Sequence, residues 1–241
     1  MQLTGAVEAF LLEKEREGRA DFPDIQAGIR AFSDYLTDWT PVPVGRVNKI
    51  SMVHFQEFFS WWYIRKCRPN PTAARHLLYV MEEFCRFIFK RFEVNLLPIY
   101  RPVLAELKEA LPRVITLQIA ISPVKSQEYL RYMVAAYGEE RAKEMGFLGE
   151  YEDVVHSDME VVCLGEGTEV YFRNLHEDYE IGPVKVSLEA AKLVREGDII
   201  SLELGEKDGT WEIIDSGFAY PSLAKRCQAV PKIDKNFKGG I

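Results

Sequence analysis

NPTAARHLLYVMEEFCRFIFKRF, residues 70–92, decides how the first half of this chain folds. Asn70 is a good helix N-cap, and Pro71 suits the first helical position, where its missing N–H is not needed. The spacing predicts a helix from there to about Phe92. Leu77, Leu78, Met81, Phe84, Cys85, Ile88, Phe89 and Phe92 fill one broad apolar side. The opposite side carries Arg75, Tyr79, Glu82, Arg86 and Lys90. Glu82 and Arg86 stand four apart, so part of that face is a salt-bridged surface.

Upstream, Ser51 opens another helix as its N-cap. Met52, Phe55, Phe58, Phe59 and Trp62 fall on one arc of about 140° at 100° per residue, a core stripe. Trp61 and Ile64 lie off it and imply either a second buried contact or an exposed apolar spot. TPVPVG, residues 40–45, cannot be helical. Before it, Asp24 is placed to cap a helix whose Ile25, Ile29, Phe32 and Leu36 form one stripe. EGRADFPD separates that helix from another over residues 5–17, with Val7, Phe10, Leu11 and Lys14 at helical spacing.

Downstream, residues 103–111 and 126–145 read as helices. The second has Tyr129, Met133, Ala136 and Tyr137 in register and is ended by Gly146 and Gly149. After Tyr151 the period becomes alternating. Residues 159–164, 169–175, 198–204 and 210–214 read as strands, with Lys207-Asp208-Gly209 as a hairpin turn. Ser187 starts a short helix through Val194, and Gly197-Asp198 turns it into the next strand. The expected fold class is α+β: an all-helical N-terminal bundle over 1–147, then a small β-barrel-like domain over 158–221. The linker is expected near 146–157 and a flexible basic tail over 222–241.

Of the 241 residues, 47% are hydrophobic and 28% charged, the balance of an ordinary globular protein rather than a disordered one. There is no apolar run of about 18 residues, so no membrane span is expected. The first residues, MQLTGAVEAFLLEKERE, do not read as a signal peptide. Cys67, Cys85, Cys163 and Cys227 are widely spaced without a CxxC, which predicts reduced thiols and a cytoplasmic protein.

Charge is unevenly distributed. Residues 40–105 carry 10 basic and 4 acidic residues, net +6, whereas 106–221 carry 11 basic and 24 acidic, net −13. The basic segment is either the footprint of a polyanion or a solvated helical face. Catalytic signals are absent. His54, His76, His156 and His176 have no Cys, Ser or carboxylate at a defining spacing and read as structural or surface residues. GEGTE, residues 165–169, lacks the P-loop pattern and is followed by a strand, so it reads as a turn. Glu152, Asp153, Glu177 and Asp178 read as solvated loop charges. No metal or cofactor is expected, and the chain is not expected to be an enzyme.

From Asp24 to about Pro98 the order is helix, proline-rich loop, ISMVHFQEFFSWW, the link RKCRPNPTAARH, LLYVMEEFCRFIFKRF and the closing EVNLLP. This order resembles the SAM-like core-binding domain of tyrosine recombinases and phage integrases. The resemblance implies a non-catalytic DNA-binding or recombination-accessory protein contacting double-stranded DNA through Lys49, Arg65, Lys66, Arg68, Arg75, Lys90 and Arg91. Two features depart from the family. No His-x-x-Arg occurs, and Leu97-Pro98 stands where the family has Asn-Pro. The alternative is a protein-interaction or regulatory protein without nucleic acid, in which the acidic β-domain serves a protein partner.

Overall fold

The structure is a computed structural model and describes residues 1–122, 134–144 and 151–228. Helices α1 (Leu3–Arg16), α2 (Phe22–Asp34), α3 (Met52–Glu57), α4 (Tyr63–Cys67), α5 (Pro71–Phe92) and α6 (Leu97–Ala120) come first. A five-stranded sheet follows: β1 (Asp153–Leu164), β2 (Glu169–Asn174), β3 (Glu180–Lys185), β4 (Ile199–Lys207) and β5 (Thr210–Tyr220).

Helix α5 has the expected ends. The Asn70 side chain accepts from the Ala73 N–H at 2.8 Å, and Glu93 closes the helix in the left-handed region. Leu77, Leu78, Met81, Phe84, Cys85 and Ile88 are buried, joined by Ala74, Val80 and Phe87. Phe89 is a correction: it is 49% exposed. At 100° per residue it lies about 40° from Arg75, on the outer side of the helix.

Helix α2 begins earlier than expected. Asp21 occupies the N-cap position and Asp24 lies in the first turn, which corrects the assignment of Asp24 as cap. The Asp21 carboxylate does not bond the helix N-terminus. It accepts from Arg19 Nε at 2.9 Å and lies 2.8 Å from His76 Nε2. Ile25, Ile29, Phe32 and Leu36 are all fully buried.

The Ser51 helix is interrupted. Ser51 N–H donates to His54 Nδ1 at 3.0 Å, so His54 completes a cap. A π-helical turn, Phe58–Trp62, then joins α3 to α4. A π-turn adds a residue and shifts the helical phase. Tyr63 and Ile64 consequently face the core, and Trp61 is half-buried. The off-arc residues therefore mark a second buried contact. Phe32, Phe55, Phe58 and Tyr100 form an aromatic cluster, with Phe32–Phe55 and Phe55–Tyr100 ring centroids 5.2 and 4.9 Å apart.

Helix α6 far exceeds the expected 103–111. It runs through Pro102 and Pro112, which flank the expected 103–111 and each carry a local cost inside a helix. Burial of Val103, Leu107, Leu111, Val114, Ile115 and Leu117 against α5 and the sheet overrides the local penalty. Of the stretch 126–145, residues 134–137 and Glu139–Glu144 are helical. Tyr129, Met133, Gly146 and Gly149 lie outside the described residues.

The sheet is larger than the four strands expected. β3 is not among the expected strands; Gly182-Pro183 interrupts the alternating run that would have marked it. β1 starts at Asp153, so residues 153–157 of the expected linker are strand. β1 pairs with both β2 and β4, β4 with β5, and β3 meets β5 in parallel at Val184 and Trp211. The order β1-β2-β3-β5-β4 returns to β1, so the sheet closes on itself. Asp208 and Gly209, both at positive φ, make the two-residue turn between β4 and β5. A short helix, Leu188–Leu193, capped by Ser187, lies between β3 and β4.

The two halves share one contiguous buried core. Helix α6 packs on β5 and on the Leu188–Leu193 helix. Arg113 of α6 forms a two-pronged ion pair with Asp198, and the Ser187 hydroxyl donates to Ala120 O at 3.1 Å. Residues from Ser222 were expected to begin a flexible tail. Instead a helix, Ala224–Gln228, packs against α3, with Leu223 and Ala224 buried. The rest of the expected tail lies outside the described residues.

Candidate nucleic-acid interface

The seven cations expected to contact DNA do not form one patch. Lys49 ends a short 3₁₀ turn, Val47–Lys49. Arg65 and Lys66 lie in the last turn of α4, and Arg68 caps that helix in the left-handed region. The structure seats these three over rings. Arg65 lies 5.5 Å from the Trp61 ring, Lys66 4.1 Å from Trp39 and Arg68 5.7 Å from Phe218 of β5. The link is thus partly engaged with the chain itself, and Arg68 reaches the acidic half.

Arg75 and Lys90 stand on the outer face of α5, fifteen residues and about 22 Å apart along the axis. Arg91 belongs elsewhere. It projects about 100° beyond the edge of that face. It lies over Phe87 and lines a groove with Ala9, Leu12, Glu13, Arg16 and Glu17.

The outer face of α5 is the coherent surface. At 100° per residue Arg75, Tyr79, Glu82, Arg86, Phe89 and Lys90 share an arc of about 100°. Every exposed charged side chain of α5 is a cation: Arg75, Arg86, Lys90 and Arg91. Its two carboxylates are less exposed and already ion-paired. Glu82 takes Arg86 at 2.9 Å and Arg101 at 3.6 Å, which brings Arg101 alongside the face. Glu83 takes Arg19 at 2.7 Å and Lys14 at 3.2 Å. The first exposed carboxylate is Glu93, past the helix end. None of the seven expected cations forms an ion pair with another described residue.

Arg86, Arg101, Tyr79 and Phe89 were not singled out from sequence as site residues. The phase of Phe89 along α5 places it at the edge of the outer arc, while its apolar character points to the core. Arg101 carried no local signal, since its place beside α5 depends on the turn into α6.

The remaining chemistry is engaged structurally. His54 caps α3. His76 meets Asp21, whose carboxyl the Arg19 guanidinium holds well below the usual range. His176 Nδ1 lies 3.2 Å from Ser157 Oγ at the turn after β2, and His156 is exposed on β1. Cys67 is exposed, but partial desolvation by the groups around it pushes its thiol up to about 11, which leaves little nucleophilic thiolate at neutral pH. GEGTE is the turn between β1 and β2, with Gly167 at positive φ. Among the described residues no group of His, Cys, Asp and Glu could hold a metal ion. Among the same residues no helix is long and apolar enough to cross a membrane. No family model, curated protein or solved structure shows a match to the chain.

Proposed function

We propose that this chain is a non-catalytic nucleic-acid-binding protein, an accessory of DNA recombination of the kind the integrase resemblance implies. It holds the phosphate backbone with the outer face of α5. The observation that carries this reading is the charge on α5: its exposed charged side chains are all cations, and its two carboxylates are held in ion pairs, Glu82 by Arg86 of the same face and by Arg101, and Glu83 by Arg19 and Lys14. Contacts of this kind fix position on a backbone without reading sequence. The acidic half, net −13 over 106–221, repels DNA and stands away from it.

The test is anisotropy titration of the full chain with an arbitrary labelled duplex over a salt series. A binder neutralising Z phosphates gives a slope of about −0.9Z in log K against log salt. Replacing Arg75, Arg86 and Lys90 together by Ala should flatten that slope by up to about 2.7. No binding at low salt by a folded chain would refute the reading.

A second reading, a protein-interaction role, is favoured by one observation. Ile119 is 71% exposed near the end of α6, and Leu188 is exposed beside it, since Ser187 bonds Ala120. Exposed apolar neighbours of this kind suit a protein contact.

A further inference from the structure

Two large rings stand on the same cationic face. Tyr79 is 51% exposed and Phe89 is 49% exposed. Along α5 the order on the outer arc is Arg75, Tyr79, Glu82, Arg86, Phe89, Lys90. Cations and rings alternate, interrupted only by a carboxylate that two arginines already hold. Ten residues separate the rings, about 15 Å along the axis. At 3.4 Å per base along a strand, that span covers on the order of four nucleotides.

A single exposed ring on a protein surface needs no explanation. Two rings on a face whose unpaired charges are all positive fit a particular ligand. Duplex DNA turns its phosphates and sugars outward and keeps its base faces stacked, so it offers an exposed ring little to stack on. An unpaired strand offers both a chain of phosphates and free π-faces. Aromatic platforms set within a positive track are how single strands are held without sequence preference.

We infer that the outer face of α5 binds single-stranded nucleic acid, with Tyr79 and Phe89 as stacking platforms and Arg75, Arg86 and Lys90 as phosphate contacts. The inference rests on the proposed nucleic-acid reading and narrows it to an unpaired strand. A second copy of the chain, its acidic half lying on this face, is the rival occupant.

The experiment compares a labelled 15-nucleotide oligothymidylate with a 15-base-pair duplex, using the full chain at one low salt concentration. The variants are Y79L/F89L, which removes the rings but keeps good helix formers, and Y79F, which keeps a ring. Circular dichroism checks that each is folded. The expected result is tighter binding of the single strand than of the duplex. Y79L/F89L should lose about tenfold or more on the single strand and less than twofold on the duplex. Its salt slope should be unchanged, and Y79F should match the parent. Equal binding of the single strand by Y79L/F89L and parent would overturn the inference while leaving the nucleic-acid reading intact. Equal losses on both ligands would do the same. Binding of neither ligand by the folded chain would overturn both. So would a salt-sensitive dimer in sedimentation that excludes the oligonucleotide and dissociates in Y79L/F89L.

Discussion

Arg113 of α6 grips Asp198, just before β4, with Nη1 2.6 Å from Oδ2 and Nη2 2.8 Å from Oδ1. Asp198 is 1% exposed, and its carboxylate also accepts the Arg195 backbone N–H at 2.9 Å. Arg113 further donates to Leu193 O at 2.6 Å. One guanidinium thus ties the last long helix to two segments of the sheet half. Removing it leaves a buried carboxylate without its cation, which typically costs about 3–5 kcal/mol. Arg113→Ala should therefore lower the urea midpoint sharply. Arg113→Lys should recover only part of the loss, since an ammonium cannot form the two-pronged contact. A midpoint for Arg113→Ala equal to the parent's would show that the pair does not hold the halves together.

Asp21 joins the start of α2 to α5 through Arg19 and His76. Its folded-state pKa is depressed, chiefly by the hydrogen bonds from Arg19. A depressed carboxylate contributes stability that is fully present above its unfolded pKa, about 3.9, and is lost as pH falls through the folded value. The side chain is about a third exposed, so solvent screens the gain. Asp21→Asn should be less stable than the parent from pH 7 down to about pH 4, with the two converging at more acid pH. Urea midpoints from pH 2 to 7 would show this; a gap that stays constant from pH 4 to pH 2 would contradict the assigned pairing.

The thiols should separate kinetically. Cys67, exposed but raised to about 11 by partial desolvation, should react with iodoacetamide slowly at pH 7.5, its rate climbing about tenfold per pH unit toward that value. Cys85 is fully buried in the helical core and should react only when the chain unfolds. Peptide-level mass spectrometry after timed alkylation reads both. Rapid labelling of Cys85 under native conditions would mean that the α5 core opens freely.

The Asn70 cap is testable by itself. Its side chain satisfies one of the four free N–H groups at the start of α5. Asn70→Ala should cost about 1 kcal/mol and Asn70→Asp little. Chemical denaturation monitored by circular dichroism would separate the two variants.

What the sequence disclosed follows the range of the forces involved. The ends of α5 and the Ser51 cap depend on residues within four positions, and they were legible. The apolar stripe of α2 was legible because its period is local too. Strand β3 was hidden because Gly182-Pro183 interrupts the alternation while pairing with β2 holds the strand regardless. Helix α6 extends past the expected 103–111 on both sides, through Pro102 and Pro112, whose local cost is overridden by packing against residues distant in sequence. The basic link at 65–68 illustrates the same point for the candidate site. Arg68 was read as free for a phosphate, but the ring beneath it, Phe218, lies 150 residues further along the chain. No spacing rule reaches that far.

The closure of the sheet bears on how another molecule could recognise the acidic half. β1 is bonded on both sides, and the seam between β3 and β5, though it pairs only at Val184 and Trp211, completes the ring. β1, β2 and β4 are each paired along both sides and have no vacant row of amides to lend, so a visiting peptide gains no purchase by lying alongside them. Away from the thinly paired seam between β3 and β5, recognition of this half must then be written in side chains and in the turns at the rim. There a partner would be selected by the identity of those residues, and the backbone of these three strands could not recruit an arbitrary extended chain.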